Sequence, residues 1–235
     1  LGMSRIILDN LVYMDAELAE TDARKKSDAR FLKRSEMDQM IASLPYKLTN
    51  DQKNTIDQII ESTKSGKSVK ALVQGDVGCG KTIIAFALMK CAEENGYQSV
   101  LMAPTQILAS QHYEELCKLV PKEKIAFLDG TVKVSQKKKL LAGIQDGTFP
   151  YIIGTSAVLS VETGYANLGL AITDEEHRFG VNQRNAIFQD GTHMITMSAT
   201  PIPRTLASAI YGDSTDIYQV IEKPAGRKPV ITYYD

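Results

Sequence analysis

The run Val69-Lys70-Ala71-Leu72-Val73-Gln74-Gly75-Asp76-Val77-Gly78-Cys79-Gly80-Lys81-Thr82 decides the fold. Its first six residues are short, apolar and β-branched at the ends, which predicts a buried strand. Gly75 to Thr82 fit the phosphate-loop pattern G-x-x-x-x-G-K-[ST] at every fixed position. Thr82-Ile83-Ile84-Ala85-Phe86-Ala87-Leu88-Met89-Lys90 then predicts a buried helix. Strand, glycine loop and helix in that order aim a helix N-terminus at phosphate. Gly75, Gly78 and Gly80 let the backbone curl and present its N–H groups, while Asp76, Val77 and Cys79 complete the cradle. Lys81 places a point charge on the β and γ phosphates, and the Thr82 hydroxyl is a Mg²⁺ ligand. A glycine-rich turn ending by chance in Lys-Thr is the weaker reading, because the flanking elements are the required ones. The expected cofactors are ATP and Mg²⁺.

Outward from this loop the chain alternates helix and strand. Thr49-Asn50-Asp51-Gln52 offers a capped helix start before Ile56, Ile59 and Ile60. Further strands are predicted at 99–102, 124–128, 151–153, 168–173 and 194–197, and further helices at 106–119 and 135–145. Repeated β-α units imply an α/β fold with a parallel sheet and helices on both faces. The polar motifs Ala103-Pro104-Thr105, Gly154-Thr155, Asp174-Glu175 and Ser198-Ala199-Thr200 follow the C-terminal ends of strands. That edge is where open α/β sheets bind ligands.

Leu168-Gly169-Leu170-Ala171-Ile172-Thr173-Asp174-Glu175 is an apolar strand ending in two carboxylates. Downstream of a phosphate loop this pattern supplies the second half of an ATPase site. Asp174 would hold Mg²⁺, directly or through water, and Glu175 would orient the attacking water. An acidic helix cap at Asp174 is the bland alternative. His177 follows at once, and a lone histidine carries no chemistry by itself.

The 235 residues suffice for one large α/β domain plus an extension, or for two small domains, with 43% apolar and 23% charged residues. No apolar run reaches the ~20 residues of a membrane helix, and the N-terminus has no signal-like segment. Cys79, Cys91 and Cys117 have no metal-ligand spacing, and their odd count argues against a disulfide framework. The expected compartment is the cytoplasm, with no membrane partner. The net charge is −1, so any nucleic-acid contact must be a local patch. Lys137-Lys138-Lys139, the densest basic run, reads more readily as a solvated helix face. Residues 11–43 look helical and densely charged, ending at Pro45. The expected division is a helical connector over 1–44 and an ATP-binding domain over 45–235.

Asp174-Glu175-Glu176-His177 resembles motif II of the DExH branch of the second helicase superfamily. Thr49-Asn50-Asp51-Gln52 resembles its Q motif, Ala103-Pro104-Thr105 its motif Ia and Ser198-Ala199-Thr200 its motif III. The longer strings LMAPTQILASQH (101–112), DEEHRFGVNQR (174–184), MSATPIPRTLA (197–207) and AGRKPV (225–230) resemble the RecG family of bacterial ATP-dependent DNA helicases. The Mfd family of transcription–repair coupling translocases is similar over the same region. The resemblance covers roughly residues 44–230 and implies the first of two RecA-like motor lobes. It implies that Gln52 reads adenine and that Pro104, Thr105, Gly130, Gly154 and Thr155 face DNA. It places His177, Ser198 and Thr200 between the nucleotide site and DNA.

Gln106 stands where the family usually has Glu, Ser156 where it has His, and Glu176 where it has Gln; none of these removes a Mg²⁺ or phosphate ligand. Nothing after Ser214 resembles motifs IV to VI, and nothing before Pro45 resembles a wedge domain. The expectation is therefore a piece of a longer protein that remodels branched or forked DNA in recombination and repair. Its partners would be that DNA, a second RecA-like lobe and a wedge domain. In this family the second lobe supplies an arginine finger, which contributes ~10³–10⁵ in rate, and no second lobe is found in the chain to provide one. By itself the chain is expected to bind ATP without efficient turnover. The alternatives are an Mfd-like motor lobe and a nucleotide-binding module that does not hydrolyse.

Overall fold

The computed structural model describes residues 26–132, 134–160, 164–174, 191–200, 203 and 214–224. Among them run α1 (Ser35–Ala42), α2 (Asn50–Thr63), β1 (Lys70–Gln74), α3 (Lys81–Glu94), β2 (Gln98–Met102), α4 (Gln106–Leu116), β3 (Ile125–Leu128), α5 (Val134–Gln145), β4 (Tyr151–Gly154), β5 (Leu168–Asp174), β6 (His193–Ser198) and β7 (Asp216–Gln219). The seven strands form one sheet in the order β3-β4-β2-β5-β6-β1-β7. Every pairing is parallel. The expected α/β architecture is borne out, including all six predicted strands.

Alternation along the strands divides the core in two. Leu101, Ile153, Leu170, Ile172 and Ile195 belong to one cluster, which α1, α2 and α3 cover with Met37, Ile56, Ile59, Ile84 and Leu88. Val100, Met102, Ile152 and Ala171 belong to the other, packed against Ile144, Leu140 and Leu141 of α5. Successive strand residues point to opposite faces, so a sheet covered on both sides reads as a continuous apolar run rather than an alternating one.

Two features depart from the sequence reading. Residues 26–34 are not helical. Their backbone groups are taken by tertiary partners instead: Phe31 N–H donates to Thr63 Oγ1 at 3.1 Å, and Leu32 and Lys33 N–H both donate to Asn95 Oδ1 at 2.9 Å. Phe31 is buried against the imidazole of His193, edge to face, at 5.3 Å between ring centres. Residues 11–25 lie outside the described residues. The second departure is β7, which no sequence signal had marked. It pairs with β1 from Ala71↔Asp216 to Gln74↔Gln219.

The chain leaving β7 is tied back to the start of α2. Asp51 Oδ2 accepts N–H bonds from Ile221 and Glu222, both at 2.8 Å. Glu222 Oε2 in return accepts the Asn50 N–H at 2.8 Å, and Lys223 pairs with Asp76 at 3.0 Å.

Candidate functional site: a phosphate-loop cleft at the strand edge

The phosphate loop crosses from β1 to α3 at the C-terminal edge of the sheet. Gly78 and Gly80 have φ of +79° and +84°, the left-handed region that favours glycine. Gly75 is required for space: a Cβ there would sit 2.5 Å from Cys79 Sγ and 2.6 Å from the Val220 carbonyl. Cys79 is buried beneath the loop, whereas Asp76, Val77 and Gly78 are exposed. Gly80 is the N-cap of α3 and offers no side-chain cap, so the first-turn N–H groups of a 14-residue helix face outward without one. An anion is stabilised at such a terminus.

Gln52 supports this loop from below. It is 1% exposed, and its Nε2 donates to the Cys79 carbonyl at 2.8 Å. Its Oε1 accepts the Thr49 N–H at 2.9 Å while Thr49 Oγ1 accepts the Gln52 N–H at 3.2 Å, a reciprocal capping box that starts α2. The Lys81 ammonium donates to the carbonyls of Gly75 at 2.5 Å and Asp76 at 3.2 Å.

The adjacent strands complete the site. Gly75 N–H donates to the Ser198 carbonyl at 3.1 Å, joining the end of β6 to the start of the loop. Ser198 Oγ lies 3.0 Å from Thr200 Oγ1 and accepts the Thr200 N–H at 3.2 Å. A cleft of about 500 Å³ brings together Lys81 and Thr82 from α3, Asp174 from β5, Ala199 beyond β6, and Pro104, Thr105 and His112 around α4. That size suits a small-molecule ligand. Thr82 and Asp174 offer hydroxyl and carboxylate oxygens, the donor set of a hard cation. Among the described residues no group of three or more His, Cys, Asp or Glu side chains is arranged to hold a metal ion without other ligands.

Glu175 and His177 lie outside the described residues. Of the residues assigned to DNA, Pro104 and Thr105 line the cleft itself, and Thr105 Oγ1 caps α4 by accepting the Leu108 N–H at 3.3 Å. Gly130 and Thr155 stand apart, beyond β3 and β4, on the far side of β2 from the loop. Gln106 Nε2 reaches Thr131 Oγ1 at 3.4 Å and so connects the start of α4 to that region. Gly154 is buried, and a Cβ there would lie 1.9 Å from the Leu128 carbonyl, so packing alone requires glycine.

Sequence reasoning gave no role to two residues of this region. Asp51 receives the chain leaving β7. His112 is 6% exposed and its Nε2 lies 2.7 Å from Asp174 Oδ2. The partners are 62 residues apart, so no local spacing could reveal the pair.

A parallel sheet carrying a phosphate loop and a strand-end carboxylate on one edge defines a P-loop nucleotide-binding domain. Residues 49–209 match the DEAD/DEAH box helicase family, and the chain belongs to that family. It is 40% identical over 237 residues to the ATP-dependent DNA helicase RecG of Streptococcus pneumoniae serotype 4, covering 98% of this chain and 35% of that protein. It is 44% identical over 195 residues to RecG of Staphylococcus aureus, covering 82% and 28%. The chain thus spans about a third of the curated relatives it matches. Among solved structures, RecG bound to a three-way DNA junction matches with a TM-score of 0.75 and 37% identity, over 93% of this chain and 29% of that one. The UvsW helicase from bacteriophage T4 matches with a TM-score of 0.58 at 16% identity, over 83% and 70%, a likeness of fold alone. The resemblance to the RecG family is borne out. Among the described residues no helix is long and apolar enough to cross a membrane.

Proposed function

We propose that this chain is the ATP-binding first motor lobe of a RecG-like, branched-DNA translocase. The observation that carries the reading is the cleft that gathers Lys81, Thr82 and Asp174 from two elements beside an uncapped helix N-terminus. In this reading ATP and Mg²⁺ are the cofactors, and they supply the transferable phosphoryl group and its charge neutralisation. The loop N–H groups bind the phosphates, and Lys81 leaves the Gly75 and Asp76 carbonyls to meet them. Thr82 and Asp174 hold the cation, and Glu175 orients water. Gln52 keeps the loop in shape, and its amide leaves the Cys79 carbonyl to read adenine.

The DNA side runs from Pro104 and Thr105 to Gly130, Gly154 and Thr155. His177, Ser198 and Thr200 connect the two sides, and the Ser198–Gly75 backbone bond supports that connection. The motor lobe occupies 45–235, with 1–44 as a connector. A second lobe and a wedge domain act with it on forked duplex in the cytoplasm. No guanidinium lines the cleft among the described residues. In this reading the second lobe supplies the arginine finger, which contributes ~10³–10⁵ in rate, so the 235-residue chain by itself binds ATP and turns it over poorly.

The test is titration with a fluorescent ATP analogue, followed by steady-state ATPase measurements with and without forked DNA. Saturable, Mg²⁺-dependent binding with negligible stimulation is the expected result. Absence of nucleotide binding would overturn the reading, and strong DNA-stimulated turnover by this chain would overturn its account of the missing arginine.

A further inference from the structure

We infer that His112 is a positioning residue for Asp174, setting how that carboxylate meets the metal ion. The inference rests on the proposed metal role of Asp174. A carboxylate only accepts hydrogen bonds, so the imidazole Nε2 must carry the hydrogen of the 2.7 Å contact to Asp174 Oδ2. Burial and one further contact limit where the ring can go. It is 6% exposed, and it stands edge-on to Phe86 of the phosphate-loop helix, 89° between planes and 6.4 Å between centres. The tautomer and the ring orientation are therefore both imposed. One carboxylate oxygen is held by the ring and the other is left for water or metal. A group that fixes a ligand's orientation lowers the cost of ordering it when the cation arrives.

The position of His112 on α4 adds a second consequence. Thr105, Leu108, His112 and Glu115 line the cleft from one face of this helix. Thr105 caps the helix at one end of that face, and His112 meets Asp174 two turns later, about 10 Å along the axis. Thr105, one of the residues proposed to touch DNA, and the residue orienting the metal ligand thus belong to one rigid element. A buried histidine that is merely satisfied by a nearby carboxylate would give the same distance but not the same behaviour on substitution.

The experiment measures the affinity of the 235-residue chain for N-methylanthraniloyl-ADP with Mg²⁺ and with EDTA. In His112→Ala the gain in affinity due to Mg²⁺ falls on the order of tenfold, while the affinity in EDTA is unchanged. His112→Gln, whose Nε2 amide reaches a similar position, restores most of the gain. Where alanine does not fold, His112→Asn takes its place, because its shorter amide keeps polarity without reaching Asp174. A full Mg²⁺ gain in His112→Ala or His112→Asn overturns the inference, as does failure of glutamine to restore it. Asp174→Ala separates the two levels. If it keeps the Mg²⁺ gain, the metal role of Asp174 fails. If it loses the gain while the His112 variants keep it, only the positioning role fails.

Discussion

The side-chain amide of Gln52 donates to the carbonyl of Cys79 at 2.8 Å, so the helix that starts at Thr49 holds the phosphate loop from beneath. The same side chain accepts the Thr49 N–H, and one residue serves both the cap of α2 and the shape of the loop. Gln52→Ala removes both bonds and is expected to lower stability by about 1–3 kcal/mol and to weaken nucleotide binding. Gln52→Glu keeps an acceptor for Thr49 and loses the donor to Cys79, so it separates the roles. Denaturant unfolding and nucleotide titration of both variants check this. Undiminished affinity in both would show that the loop does not need the amide.

Two glycines should respond differently to alanine. At Gly80 the φ of +84° and a Cβ 2.3 Å from Gln52 Nε2 both oppose a side chain. Gly80→Ala is expected to cost about 1–3 kcal/mol and to abolish nucleotide binding. At Gly154 the clash is with backbone, the Leu128 carbonyl, and it lies away from the loop. Gly154→Ala is expected to destabilise by a similar amount, about 1–3 kcal/mol, with nucleotide affinity of the folded fraction preserved. Thermal unfolding with and without nucleotide distinguishes the cases: only Gly154→Ala should still gain stability from nucleotide.

Stability should fall in mildly acidic solution because of His193. Its Nδ1 accepts the Val69 N–H at 2.9 Å, which requires an unprotonated nitrogen there, and Nε2–H donates to the Ala29 carbonyl. Burial holds its pKa below the ordinary value, only partly opposed by the bond to Ala29. The unfolded chain therefore binds the proton more readily than the folded one. Stability is full above the unfolded value of about 6.5 and declines as pH drops from there toward the folded value. Urea unfolding from pH 7.5 to 5 should show the decline, and His193→Gln should flatten it. An equal slope in the variant would assign the effect elsewhere.

A second, more acidic loss is expected from Glu93. Burial pushes its carboxyl up, but bonds from Lys124, Lys90 and Tyr151 outweigh it and hold the group below its ordinary value. Tyr151 Oη donates at 2.7 Å, and the tyrosine is fully buried. The stability it contributes is present above the unfolded carboxylate range and is lost as pH falls through the folded value. Glu93→Ala leaves the Tyr151 hydroxyl without its acceptor and is expected to cost about 1–3 kcal/mol at neutral pH. Unfolding free energies of Glu93→Ala and the double variant with Tyr151→Phe check this, since the double variant should recover part of the loss.

The strands and the phosphate loop were legible because their signals are local. Residues 69–82 carry strand, turn and helix chemistry within fourteen positions, and the paired residues Asp174 and Glu175 close a continuous apolar run. β7 was not legible. Asp216-Ile217-Tyr218-Gln219 is short and mixed in polarity, and it becomes a strand because β1 offers it an open edge. Residues 26–34 misled for the converse reason. Their composition suits a helix, but Thr63, Asn95 and His193 supply hydrogen-bond partners and a ring contact that no neighbour in sequence could provide.

By itself, then, the order of residues determined the α/β class, the strand edge that carries the site, and the phosphate loop with its lysine and threonine. Each of these depends on groups a few positions apart, whose spacing the backbone period dictates. Only the tertiary structure decided that Gln52 underpins the loop, that Asp51 receives the chain leaving β7, and that His112 meets Asp174. Those contacts join residues 27, 170 and 62 positions apart. Such pairs form where the sheet order β3-β4-β2-β5-β6-β1-β7 brings strand ends together, and that order is set by the packing of whole elements rather than by any local pattern.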